Sequence, residues 1–139
     1  MKIGRKSFVL ISIVSLVLVS VFVFYKWSDR QTIKHILNVS SLPRSLSVVG
    51  CESPFTTDVL ITCVVNIDPI EFSSLLGGYE YKWSAVSKTS YEVVGPRIGN
   101  EFSIANLYSV EPPGFEHGGF VRVYSDKSKS LVLLDLYIE

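Results

Sequence analysis

Few residues in this chain have the type and spacing to do chemistry. Cys51 and Cys63 are its two cysteines. Two thiolates are too few ligands for a structural zinc site, and the two histidines, His35 and His117, do not complete a ligand spacing. In an oxidising compartment an isolated even pair is more simply a disulfide. It would close a loop of about a dozen residues, worth on the order of 3 kcal/mol in the chain-entropy account. His117 has Glu116 beside it and Glu111 nearby, and a histidine with a carboxylate can move protons. A solvated loop histidine is the plainer reading. Glu52 and Asp58 flank the loop that the disulfide would close; together they could hold a cation, though solvation accounts for them as well. No G-x-S-x-G elbow, H-E-x-x-H, P-loop or EF-hand loop occurs. The sequence therefore points to no enzyme, no catalytic residue, no metal site and no cofactor, and no small-molecule substrate is evident.

What remains is surface, and loops on small rigid scaffolds carry function. Ser53–Asp58 holds Phe55 at its middle; Glu111–Gly119 holds Phe115 and His117 between a Pro-Pro step and a Gly-Gly step. An exposed phenylalanine on a tethered loop can anchor a protein partner. Phe55, Phe115 and His117 are the candidate partner-binding residues, the alternative being that each ring tucks back onto the core.

The elements that position these loops begin with Phe8–Tyr25, which is 18 residues without a charge. As a helix it would span about 27 Å, close to the roughly 30 Å hydrocarbon core of a bilayer. Tyr25 and Trp27 end it with rings that favour the interface, and Lys26 can snorkel beside them. The apolar run exceeds a signal-peptide core, and Tyr-Lys-Trp-Ser-Asp-Arg after it offers no small-residue cleavage site. The expected organisation is a cytoplasmic tail (1–7), an uncleaved transmembrane signal anchor (8–25), a juxtamembrane helix (26–42) and an extracytoplasmic domain (43–139). The short basic tail favours the cytoplasmic side for the N-terminus.

Charge follows the same division. Residues 1–28 carry four basic and no acidic side chains; residues 29–139 carry nine basic and thirteen acidic, a net of −4. A mildly acidic domain of roughly 110 residues can bury one core and argues against nucleic-acid binding, which needs a basic face.

Along the domain, Ile33, Ile36 and Leu37 mark one helical face, with Asp29 to cap it and Pro43 to end it. Leu46–Glu52 and Val59–Ile67 read as strands. Placing Cys51 opposite Cys63 would set Val49 opposite Val65 on the buried side. Asp68-Pro69-Ile70-Glu71 is a helix start, with Asp68 as N-cap, Pro69 in the first turn and Glu71 reaching back. Phe72, Leu75 and Leu76 follow, and Gly77-Gly78 would end the helix in a left-handed residue. Tyr79–Trp83 and Tyr91–Val94 read as short strands, and 102–108 as extended chain. Phe120–Ser125 and Leu131–Ile138 form a hairpin through Asp126–Ser130, aligning Val121 with Leu136, Val123 with Leu134, and Arg122 with Asp135 on the outer face. The terminal strand should be central or well paired. The fold class is α+β: an N-terminal transmembrane helix, then one small domain with a mostly antiparallel sheet covered by one or two short helices.

The run from Leu42-Pro43 through Cys51-Glu52-Ser53, Asp58, Asp68-Pro69, Phe72 and Leu75-Leu76-Gly77 resembles a pattern in small bacterial envelope proteins of unknown function. Glu111-Pro112 with Gly118-Gly119 before a Val-rich strand is similar too. The resemblance implies a protein of the bacterial cytoplasmic membrane with a periplasmic or extracellular domain, and no activity. The expectation is a membrane-tethered protein-binding module whose partner is an unidentified envelope protein. One concrete form is an immunity protein against an envelope-acting antibacterial toxin; the alternative is a structural accessory subunit of an envelope assembly.

Overall fold

The apolar N-terminal run and the residues after it form one continuous helix, α1 (Arg5–Ile36), in the computed structural model, which describes residues 5–54, 57–86 and 103–139. At 1.5 Å per residue its 32 residues reach about 48 Å, longer than a hydrocarbon core, so its last turns extend beyond one. Its apolar part is long and apolar enough to cross a membrane. Val17, Leu18 and Phe24 stand exposed along it. Ser20 donates its hydroxyl to the Leu16 carbonyl at 2.8 Å, so this polar group is satisfied within the helix.

No break separates anchor from juxtamembrane helix, and Asp29 lies inside α1 instead of capping a second one. The helix also stops at Ile36, short of the expected Leu42. Asn38 takes the left-handed conformation (φ 52°), with Asn38 N donating to His35 O and Val39 N to Lys34 O. Those two bonds form a Schellman closure, so an asparagine ends the helix well before Pro43. Ile33, Ile36 and Leu37 are buried against the domain. Arg30 ties the segment behind them, donating to the carbonyls of Leu46 (2.7 Å) and Pro43 (3.4 Å).

Six strands follow among the described residues: β1 (Ser47–Glu52), β2 (Val59–Asn66), β3 (Lys82–Ala85), β4 (Asn106–Val110), β5 (Gly119–Ser125) and β6 (Leu131–Ile138). They form one antiparallel sheet in the order β1-β2-β6-β5-β4-β3, which puts the terminal strand inside it. The hairpin register is as expected, with Val121 opposite Leu136, Val123 opposite Leu134 and Arg122 opposite Asp135. Asp126 stabilises its turn: its carboxylate accepts from Ser130 N (2.8 Å), Leu131 N (3.1 Å) and the Ser128 hydroxyl. Lys129 takes the left-handed position (φ 61°).

Cys51 is bonded to Cys63, and the two are register partners. The register nonetheless slips beside them. Val48, not Val49, pairs with Val65, and Gly50 pairs with Val64, leaving Val49 in a bulge and 48% exposed. One inserted residue reverses the side-chain faces, so Val48 enters the core in its place.

The segment after β2 is a 3-10 helix, Pro69–Leu76. Asp68 caps it through Ile70 N (3.0 Å), but Glu71 does not reach back. Its carboxylate instead accepts from Ser45 N (3.0 Å) and Ser45 Oγ (2.6 Å), while Ser45 Oγ accepts from Asp68 N (3.1 Å). Ser45, arriving from before β1, thus completes the capping arrangement from a distant part of the chain. The helix ends without a left-handed glycine, since Gly77 has φ −76°. Gly78 is needed for space: a Cβ there would collide with the carbonyls of Leu37 and Asn38, where the end of α1 packs.

α1, the 3-10 helix and one sheet face enclose the main core, with Phe72 against Tyr108 at 5.5 Å. The second face is also covered. Val64, Ile104, Tyr124 and Leu133 form a smaller cluster there, and Thr62 and Asp135 are fully buried. Asp135 is therefore opposite Arg122 as expected but not at a solvated surface. Tyr79 and Tyr81 pack on the main core edge-to-face at 5.9 Å, ahead of β3. Trp83 departs from them, 61% exposed, with its Nε1 donating to Asn106 Oδ1 (3.2 Å). The strand expected at Tyr91–Val94 lies outside the described residues.

Candidate functional site: a trench at the far end of the sheet

Antiparallel pairing stacks the ends of the strands into two rims. One rim holds Leu46, Asn66, Leu131 and the Asp126–Ser130 turn, and Arg30 of α1 grips it through Leu46. The other rim holds Glu52, Val59, Glu111, Gly119 and Ile138. Along β6 the two lie roughly 20 Å apart at about 3.3 Å per residue.

The loop Glu111–Gly119 belongs to the far rim and is firmly held. Phe115 N donates to Pro112 O and Gly118 N to Phe115 O, both at 3.1 Å, and Glu139 N donates to Gly118 O at 3.2 Å. Gly118 (φ 109°) and Gly119 (φ 139°) use backbone conformations that other residues avoid. Gly119 also leaves no room for a Cβ against the Tyr137 carbonyl. Phe115 is half-buried with its ring against the main core, so it follows the tucked alternative while keeping an open edge. His117 and Glu116 are exposed on the same loop. Phe55 lies outside the described residues. Among the described residues, no group of three or more His, Cys, Asp or Glu side chains is placed to hold a metal.

Two adjoining hollows flank this loop and share Glu111 and Phe120. The first, about 490 Å³, is walled by Phe115, Phe120, Tyr137, Gly118 and Glu111. Phe120 and Tyr137 meet at 5.5 Å between ring centres. The second, about 640 Å³, runs over β4 and β5 towards the β3 edge past Tyr79, Glu80, Lys82, Ser109 and Arg122. The Arg122 guanidinium lies 3.8 Å over the Phe120 ring, a cation–π contact that fixes both side chains.

A row of polar residues crosses the sheet, and its Arg122, Ser109 and Lys82 end lines the second hollow. Register pairs link Glu52, Thr62, Asp135, Arg122, Ser109 and Lys82 in succession across all six strands. Thr62 Oγ1 donates to Asp135 Oδ1 at 3.4 Å within its buried part. The basic half, Arg122 and Lys82, opens into the trench. The Arg122–Asp135 step was legible in the sequence because both residues belong to one hairpin, and Glu52 opposite Thr62 follows from setting Cys51 against Cys63. Lys82 and Ser109 join through β3 and β4, whose pairing no local pattern announces. Phe120 and Tyr137 could have been found: they share the Arg122 and Asp135 face by period two.

The Tyr137 phenol has its pKa pushed up, by desolvation first and then by the negative charges of Asp58 and Glu139. No family model, curated protein or solved structure matches this chain.

Proposed function

We propose that the chain is a membrane-tethered protein-binding module of a bacterial envelope, anchored by α1 with its domain on the extracytoplasmic side. The observation that carries this reading is the position of the trench. It lies on the rim opposite the one gripped by α1, walled by aromatic rings and mixed charge and framed by a loop that is already ordered. Preordered loops and half-exposed rings cost little entropy on association, which suits a protein contact. The Cys51–Cys63 disulfide fits an oxidising compartment, and one N-terminal helix suffices to cross a membrane. Immunity against an envelope-acting toxin is the specific form proposed.

Site-specific photocrosslinking in intact cells tests the reading. A benzophenone amino acid at Phe115 should give a discrete crosslinked band, and one at Val49 in the β1 bulge should not. The reading fails if Phe115 gives no adduct or the same adducts as Val49. The immunity form requires a toxin gene beside this one and protection of cells challenged with that toxin; a neighbourhood without such a gene refutes it.

A further inference from the structure

The first hollow combines three features that suit one chemical group. Among the described residues, Phe115, Phe120 and Tyr137 supply ring surface, Glu111 lines the wall with them, and no lysine or arginine does. The Glu139 carboxylate stands at its rim, 3.6 Å from where a Cβ on Gly118 would lie. Aromatic faces are attracted to cations through their quadrupole, and carboxylates through charge; an apolar chain of equal size receives only the hydrophobic part. Phe120 already holds the Arg122 guanidinium on one side, so the same chemistry operates within this wall. We infer that this hollow is the socket for a basic side chain, lysine or arginine, projecting from the protein partner. The inference rests on the protein-binding reading and adds the chemistry of the contact. A three- or four-carbon aliphatic stem fits between the rings while its charged head meets Glu111 and Glu139.

The test uses the full chain in neutral detergent micelles and the peptide Gly-Lys-Gly-Lys-Gly-amide carrying fluorescein on its N-terminal amine, followed by fluorescence anisotropy at low salt. The lysine peptide should bind, and its norleucine counterpart should bind at least about threefold more weakly, the scale of an exposed cation–π contact. Glu111→Gln and Phe115→Leu should each weaken the lysine peptide about three- to tenfold. Glu52→Gln, on the same rim but outside the hollow, should leave it unchanged. Equal binding of the norleucine peptide, indifference to both hollow variants, equal loss from Glu52→Gln, or no binding of the lysine peptide would each overturn the socket. Melting of each variant verifies that it is folded, and Phe115→Leu keeps apolar volume if Glu111→Gln proves uninformative. If the socket fails while Phe115 still crosslinks specifically, the protein-binding reading survives without it.

Discussion

Breaking the Cys51–Cys63 bond should destabilise the domain without removing its fold. The bridge spans a sequence separation of 12 and joins edge strand β1 to β2. For a loop of that length the chain-entropy expression gives about 9.5 cal/mol/K, or about 3 kcal/mol at 25 °C. A domain of this size loses about 4–8 °C in Tm per kcal/mol, so reduction should lower Tm by roughly 10–20 °C. The remaining β1 contacts, Val48 and Leu46 in the core and Arg30 on Leu46, hold the strand after reduction. Because Cys63 is fully buried, Cys63→Ser would add the cost of an unpaired hydroxyl. The clean comparison is reduction against the Cys51→Ala/Cys63→Ala double variant, which should melt together. The assay is thermal unfolding of the full chain in detergent, followed by near-ultraviolet circular dichroism with and without reductant. Alkylation without reductant, read by mass spectrometry, supplies the covalent control. Two alkylated cysteines, or a Tm that ignores reductant, would refute the reasoning.

Three further outcomes follow from particular contacts. Gly78→Ala should destabilise by about 1–3 kcal/mol, the cost of forcing packed groups apart, because its Cβ would strike the Leu37 and Asn38 carbonyls; an unchanged denaturant midpoint would contradict that packing. Tyr81→Phe should be neutral or stabilising by up to about 1 kcal/mol, since the hydroxyl is buried with no hydrogen-bond partner among the described residues and burial pushes its pKa up; a clear loss of stability would show a partner. The pKa of Glu71 is lowered by the Ser45 hydroxyl and amide bonds. That of Asp126 is also lowered: burial opposes, but bonds from Ser128, Leu131 and Ser130 prevail. A carboxylate depressed in the folded state stabilises above its unfolded pKa and loses that contribution as pH falls through the folded one. Tm should therefore hold above pH 4.5 and decline below it, from the ordinary values of 4.5 for Glu71 and 3.8 for Asp126 downwards. Glu71→Gln should flatten the upper part of that decline in a pH series of melts, and an unaltered slope would count against the Ser45 bonds.

Legibility in the sequence tracked the range of the interaction. The register of the hairpin β5–β6 was readable, because a short loop sets it and period two sorts the faces; that the face with Asp135 is itself buried was not. Cys51 opposite Cys63 was readable for a similar reason. The bulge at Val49 was not, since a single inserted residue leaves the local hydrophobic pattern intact while reversing which valine is buried. The end of α1 was misplaced because proline is a loud signal and Asn38 a quiet one, although both terminate helices. Ser45 completing the Asp68 cap could not be read at all. It lies 23 residues upstream, and only the tertiary fold brings it there. The same holds for the trench, whose walls come from β3 and the residues before it, β4, β5, β6 and the loop between β4 and β5.

The uninterrupted α1 has a mechanical consequence for that trench. A flexible linker would let the domain present any surface to a partner. Here Arg30 is only three residues beyond Trp27, and its guanidinium is already fixed to the Leu46 and Pro43 carbonyls. Ile33, Ile36 and Leu37 continue the grip in the core, and the Schellman closure at Asn38 docks against Gly78. The rim holding Leu46 and the Asp126–Ser130 turn is therefore tied to the helix close to where it leaves its apolar part. The rim with Phe115, His117 and the acidic hollow is the opposite one, whichever side of a bilayer the domain occupies. Inserting a flexible Gly-Ser pair after Trp27 tests whether this coupling matters. If orientation is part of recognition, crosslinking from Phe115 should fall while the Tm of the domain stays constant. Unchanged crosslinking would show that the tether supplies proximity alone.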